Sequence, residues 1–379
     1  MYSFRVHFQN ESHVINMKAL ILVGGYGTRL RPLTFSCPKP CVEFANKPIL
    51  EHQISALVKA GVTEVVLAIN YKPEAMFELQ SRLSSKYNIK IICSQETVPL
   101  GTAGPIAAAR NILQPDPSEN SYFFVLNSDI ICDYPFQEMI DFHKSHGKQG
   151  TLVVTPVDDP SKYGVVISNE QSEILSFVEK PTKFISNKIN AGLYLFSSSV
   201  LDRIENRPTS IEREIFPLMA QNRQLCSLTL KGFWMDIGQP KDFLLGLVLY
   251  LNFLSTSEPE KLTKGEQFLG NVLVDESAVI EPGCLVGPNV CIGPGVRIES
   301  GARVANTVIL AGSVIQGHSW IQGSIVGWRC KIGRWVRIEG LSVLGEDVQI
   351  KDELCFNGTI ILPHKEVKES EMEKGKILL

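Results

Sequence analysis

The densest run of chemically suggestive residues is Gly24-Gly25-Tyr26-Gly27-Thr28-Arg29-Leu30-Arg31-Pro32, with Pro38-Lys39-Pro40 close behind. Three glycines let a backbone approach an anion and turn its N–H groups toward it, while Arg29 and Lys39 add mobile positive charge. A polyphosphate is the guest that fits. The run is not a Walker A loop, which needs a Lys-Ser/Thr pair. Nor is it a Rossmann fingerprint, because Leu30 stands at the third glycine position and Pro32 blocks a helix there. A glycine-rich turn with solvated cations would have the same composition.

Two carboxylates stand out. Asp129 ends Leu126-Asn127-Ser128-Asp129, and Asp236 sits in Phe233-Trp234-Met235-Asp236-Ile237-Gly238. Two carboxylates together with phosphate oxygens are a usual way to hold Mg²⁺. A turn aspartate at 129 and a buried, hydrogen-bonded one at 236 would read the same. Leu100-Gly101-Thr102-Ala103-Gly104 is a small-residue turn entering a helix, able to lie against a ring or simply to turn tightly. Glu179-Lys180-Pro181 follows one strand-like run, and Asn190-Ala191-Gly192 begins another. Lys180 could meet a phosphate and Glu179 and Asn190 sugar hydroxyls; solvated strand ends are the alternative. No Ser/His or Cys/His pair suggests covalent catalysis.

The elements that must position these groups alternate. Lys18–Val23, Glu64–Ile69, Ile89–Cys93 and Tyr122–Leu126 read as strands, and Pro48–Ala60, Glu74–Leu83 and Ala103–Leu113 as helices. That order predicts right-handed crossovers and a mostly parallel, Rossmann-like sheet covered on both faces, with ligands beyond the carboxyl ends of the strands. Asp129 and Asp236 are expected to meet at that edge.

After Ser255–Gly265 the period changes. Val274, Ile280, Val286, Ile292, Ile298 and Val304 recur every six residues. Ile315/Ile321 and Val326/Ile332/Ile338/Leu344/Ile350 resume the step after two one-residue slips. A period of six resembles the hexapeptide repeat of left-handed parallel β-helices. The expected organisation is an extension over 1–16, a catalytic domain over 17–255, a linker over 256–268 and a β-helix over 269–379.

The 379 residues are 44% hydrophobic and 20% charged, with a formal charge of −3 and scattered Lys and Arg, so nucleic acid is not expected as a partner. Nine cysteines without a Cys-x-x-Cys pair suggest neither a disulfide framework nor a zinc site, and fit a reducing, cytoplasmic setting. No apolar run suggests a membrane span.

Taken together and in order, Gly-Gly-x-Gly-Thr-Arg-Leu-Arg-Pro-Leu-Thr, Pro-Lys-Pro, Pro-Leu-Gly-Thr-Ala-Gly, Asn-Ser-Asp, Glu-Lys-Pro, Asn-Ala-Gly and Trp-x-Asp-Ile-Gly resemble the sugar-phosphate nucleotidylyltransferases. Phe-Trp-Met-Asp-Ile-Gly-Gln-Pro-Lys-Asp-Phe, Lys-Ile-Asn-Ala-Gly, Ser-Lys-Tyr-Gly-Val-Val and Leu-Pro-His-Lys are similar to that family's mannose-1-phosphate guanylyltransferase branch, of catalytic beta type. The resemblance implies GTP and mannose 1-phosphate as substrates, GDP-mannose and pyrophosphate as products, and Mg²⁺ as cofactor. It implies catalytic roles for Arg29, Lys39 and Lys180, and nucleotide contacts at Leu22, Gly24, Gly25, Gly27, Thr28, Gln95, Gly101, Thr102 and Asn127. Asp129, Gly164, Glu179, Lys180, Asn190 and Asp236 would bind the sugar phosphate, with Asp129 and Asp236 on the metal. The exposed end edges of a β-helix need covering, so a homo-oligomer is expected, and the resemblance adds a hetero-oligomer with an alpha-type regulatory paralogue. The alternatives are another nucleotide and hexose pair, acyl transfer at His318 of the β-helix, or a non-catalytic exchange-factor subunit.

Overall fold

The structure is a computed structural model that describes residues 17–69, 74–96, 98–114 and 121–379. The extension over 1–16 lies outside the described residues.

Strand Met17–Leu22 lies at the middle of a nine-stranded sheet, parallel to Val62–Ile69 on one side and to Tyr122–Asn127 on the other. Lys90–Gln95 extends the parallel half. These strands are short apolar runs, and the crossovers between them carry helices Ile49–Lys59 and Glu74–Tyr87. Helix Ile49–Lys59 buries Leu50, Ile54 and Leu57 at helical spacing and stops at Gly61, whose φ of 87° suits glycine. Past Tyr122–Asn127 the sheet turns antiparallel through Lys188–Ser197, Gly164–Ser168 and Ile174–Glu179. Of these neighbours, Gly164–Ser168 and Ile174–Glu179 are joined by a hairpin-length link, which favours that direction. Two apolar clusters cover the two faces of the sheet.

From Val272 onward the hexads wind into three parallel sheets of seven, six and five strands. Val272 pairs with Val290 and Cys291 with Val308, so a coil is 18 residues, or 17 where a hexad slips. Three hexads per coil give the triangular section, and Val286, Ile292, Ile298, Ile332, Ile338 and Leu344 fill its interior. One outer face is apolar as well: Cys291, Val308, Ile325 and Val343 are buried against Phe243, Leu247, Leu251 and Leu254 of helix Pro240–Ser257. Asn46 Nδ2 donates to the Ile292 carbonyl at 2.8 Å, and Trp328 Nε1 to Glu43 Oε2 at 2.9 Å, across the same junction. His318 sits at a coil corner, stacked on Trp335 at 4.4 Å. All nine cysteines are free thiols. Among the described residues no helix is long and apolar enough to cross a membrane.

Two buried imidazoles make the fold sensitive to acid. His52 Nε2 donates to the Phe44 carbonyl at 2.8 Å, and His143 Nδ1 lies 2.8 Å from Thr151 Oγ1. Burial holds His52 down to about 4 and His143 to about 3, the latter helped by the charge of His146. In the unfolded chain both titrate near the ordinary 6.5. Stability is therefore independent of these groups above that value and is lost as pH falls toward about 4, because the unfolded state takes up protons that the fold refuses. Thermal denaturation as a function of pH is expected to show this decline, with a shallower slope in His52→Gln. An unchanged slope would remove His52 from the effect.

Candidate functional site

The glycine loop leaves the carboxyl end of strand Met17–Leu22, anchored where Val23 N donates to Ala68 O at 2.9 Å. Gly25 and Gly27 have φ of 105° and 61°. A Cβ on Gly27 would lie 2.9 Å from Thr34 Cγ2 and 3.1 Å from Lys39 Cβ, so glycine is needed there for conformation and for space. Instead of a long helix, a 3₁₀ turn over Thr28–Leu30 and a short helix over Leu33–Ser36 flank Pro32.

Asp129 and Asp236 do come together, by a route other than the expected meeting of parallel strand ends. Strand Trp234–Asp236 pairs antiparallel with Ile130–Cys132 in a separate two-stranded ribbon, with Asp236 opposite Ile130. Ile237 N donates to Asp129 O at 3.0 Å. The ribbon sits over the carboxyl edge of the main sheet and brings the second carboxylate to the first. Lys39 Nζ is 2.6 Å from Asp129 Oδ2, and Arg29 Nη2 is 3.8 Å from the same oxygen. Asp236 Oδ1 accepts from Gly238 N at 2.9 Å. Burial raises the Asp236 carboxyl above its usual range, and the charge of Asp129 raises it further; Lys39 and Arg29 offset part of this. A Cβ built on Gly238 would touch Asp236 Oδ1 at 2.8 Å, Arg29 Nη2 at 2.9 Å and Lys39 Nζ at 3.2 Å. Three charged tips thus converge on the point that the missing methyl leaves free.

A cavity of about 490 Å³ opens beside this cluster. Leu22, Gly24, Arg29, Gly101, Thr102, Asn127, Asp129, Gly164, Glu179, Lys180, Asn190 and Asp236 line it. Gly25, Gly27, Thr28 and Lys39 line an adjoining one of about 220 Å³. Lys180 has φ 48°, its N–H bound to Tyr163 O at 3.0 Å, and its Nζ lies 3.6 Å from Glu179 Oε1. Asn190 Nδ2 donates to the buried Tyr194 hydroxyl at 2.7 Å, and Asn190 Oδ1 accepts from Gly192 N at 3.1 Å. Burial raises the Glu179 carboxyl, with the nearby Glu212 charge adding to it.

Gln95 is the expected residue that neither cavity includes. It is exposed at the end of strand Lys90–Gln95, while its neighbour Glu96 is buried, accepts from Leu100 N at 3.0 Å and lines the larger cavity. Strand alternation sends adjacent side chains to opposite faces, so a shift of one residue exchanges them. Tyr163 and Trp234, edge to face at 5.5 Å, also line the cavity, and both lie within the motifs that carry the family resemblance. Gln53 and Glu212 carried no signal in the sequence. Gln53 is buried and donates to Asn127 O at 2.7 Å and Ile130 O at 3.3 Å, holding both ends of the turn that carries Asp129.

Residues 18–251 match the family described as nucleotidyl transferase. The chain belongs to the nucleotidyl transferase family. Residues 268–377 of this nucleotidyl transferase match a second family, described as the GMPPB C-terminal domain. Mannose-1-phosphate guanyltransferase beta-B of Xenopus laevis is 59% identical over 364 residues, covering 96% of this chain and 100% of its own. The mannose-1-phosphate guanylyltransferase catalytic subunit beta of Drosophila pseudoobscura pseudoobscura is 57% identical over 361 residues, 95% and 96% of the two chains. The crystal structure of HddC from Yersinia pseudotuberculosis complexed with GMP-PN matches with a TM-score of 0.50 at 26% identity, covering 60% of this chain and 97% of that one.

Membership in this family implies a divalent metal ion, and the residues fit one. Among the described residues no group of three or more His, Cys, Asp or Glu could enclose a metal by itself. The Asp129 and Asp236 pair suits a hard cation that takes the rest of its shell from phosphate oxygens and water. Such a cation would also relieve the repulsion that raises the Asp236 carboxyl.

Proposed function

We propose that this nucleotidyl transferase moves GMP from GTP to α-D-mannose 1-phosphate, giving GDP-mannose and pyrophosphate. The observation that carries the reading is the 59% identity to a mannose-1-phosphate guanyltransferase across 96% of the chain, which includes both the cavity and the β-helix.

The acceptor, a sugar 1-phosphate, is already an anion and needs no general base. The difficulty is one anion approaching another. Arg29, exposed, and Lys39, held against Asp129, stand beside the glycine loop and neutralise the triphosphate and the departing pyrophosphate, while the loop's N–H groups cradle the phosphates. Lys180 meets the acceptor phosphate. Glu179, Asn190 and Gly164 hold the sugar, and Gly101, Thr102, Leu22 and Asn127 the nucleoside. Mg²⁺, held by Asp129 and Asp236, would supply Lewis-acid charge to the phosphate oxygens of both substrates. Catalysis is then positioning plus charge, the pattern of phosphoryl-type transfer.

Residues 17–255 act as the catalytic domain and 269–379 as an assembly and positioning module, in a homo-oligomer or with an alpha-type paralogue. The free cysteines support a cytoplasmic setting. The test is pyrophosphate release across four nucleoside triphosphates and several sugar 1-phosphates, with the product identified by mass. GTP with mannose 1-phosphate is expected to be fastest. Faster turnover of thymidine or adenosine triphosphate with glucose 1-phosphate would sink the substrate assignment.

A further inference from the structure

Glu212 sits in the one-turn π-helical segment Ile211–Ile215 and lines the larger cavity. Its Oε2 accepts two hydroxyls, Thr102 Oγ1 at 2.6 Å and Ser210 Oγ at 2.9 Å. Thr102 Oγ1 in turn accepts from Ile211 N at 2.9 Å, so that hydroxyl is spent on the segment that carries Glu212. The backbone repeats the link: Thr209 N donates to Leu100 O and Ala103 N to Thr209 O, both at 3.0 Å. The turn assigned above to the nucleoside is therefore held in place by residues 209–212. Glu212 Oε1 has no partner among the described residues. Its charge acts on the sugar side, raising the carboxyl of Glu179, which faces the same cavity. Two half-buried carboxylates facing one cavity favour a ligand that brings hydrogen-bond donors, and a sugar with several hydroxyls is such a ligand.

We propose that Glu212 is a specificity-determining residue that joins the two halves of the cavity, its Oε2 fixing the Thr102 turn while its Oε1 accepts a hydroxyl of the sugar 1-phosphate. This deepens the function proposed above and rests on it. Because one carboxylate serves both halves, disturbing the Thr102 turn disturbs the sugar contact, and the two substrates bind interdependently.

Glu212→Gln keeps the size and removes the charge. It is expected to raise the KM for the sugar 1-phosphate about tenfold or more, the scale of a hydrogen bond to a charged group, while kcat and the nucleotide KM change by less than about threefold. Thr102→Val is expected to raise both KM values. In the double variant the rise in sugar KM should fall short of the product of the single effects. Monodeoxy sugar 1-phosphates add a readout that a purely structural role would not move: one of them should bind parent and Glu212→Gln equally well. A sugar KM within about twofold of parent in Glu212→Gln, or an equal penalty on every monodeoxy analogue, overturns the inference. The assay uses whichever sugar 1-phosphate the parent turns over. A parent inactive with GTP and mannose 1-phosphate but active with another pair thus refutes the substrate reading and leaves this test intact.

Discussion

Asp236→Asn is expected to cut turnover by on the order of a hundredfold or more, the scale of removing one electrostatic contact to the transition state, while leaving the chain folded and slightly more stable. The reason for both halves is local. Asp236 is a half-buried carboxylate beside Asp129, and its partial burial together with that neighbour opposes its ionisation. Asn has the same shape, keeps an oxygen for Gly238 N, and removes the repulsion. Asp129→Asn should lose turnover to a similar degree with the opposite effect on stability, since it deprives the nearly buried Lys39 ammonium of its partner at 2.6 Å. Steady-state kinetics with a divalent-metal titration and a melting curve separate the cases. Near-parent turnover with unchanged metal dependence in either variant would remove that residue from the site.

Gly238→Ala is the second large effect. The left-handed region is not involved at this position, so the backbone tolerates alanine. The new methyl would instead meet Asp236 Oδ1, Arg29 Nη2 and Lys39 Nζ, at 2.8, 2.9 and 3.2 Å. These are ends of side chains that can swing away, so the fold yields easily. The charged tips, however, must move by several tenths of an ångström, and misplacement of about 1 Å can cost roughly a hundredfold in rate. A melting temperature close to the parent's with turnover down at least tenfold is the expected pair of results. Parent-like turnover would show that the convergence on Gly238 has no bearing on the reaction.

Much of this architecture is legible in the residues. The hexad spacing marks the β-helix through its resemblance to the hexapeptide repeat, and the structure adds the three sides per coil, with partners 18 or 17 residues apart. The strands Met17–Leu22 and Tyr122–Asn127 follow from short apolar runs, and Asp129 follows from its place just past one of them. What periodicity does not carry is a contact made through space. The ribbon that pairs Asp236 with Ile130 joins residues about a hundred positions apart, and its three-residue strands are too short to show a period. Gln53 and Glu212 look like ordinary polar residues of helical segments. Their importance lies in the partners they meet, Asn127 and Ile130 for the first and Thr102 for the second. The expectation of Gln95 rests on the family resemblance alone, and a motif carried over by position does not say which of two adjacent strand residues faces the cavity; here Glu96 does.

The central claim is that one cavity holds both anions and that the sugar phosphate attacks the α-phosphorus directly, with no covalent intermediate on the protein. The stereochemical course at that phosphorus tests it most directly. With mannose 1-phosphate and a single diastereomer of guanosine 5′-(1-thiotriphosphate), the account predicts inversion of configuration in the product, as a single in-line displacement requires. Retention would mean two displacements and a nucleotidyl group carried on the chain, and would contradict it.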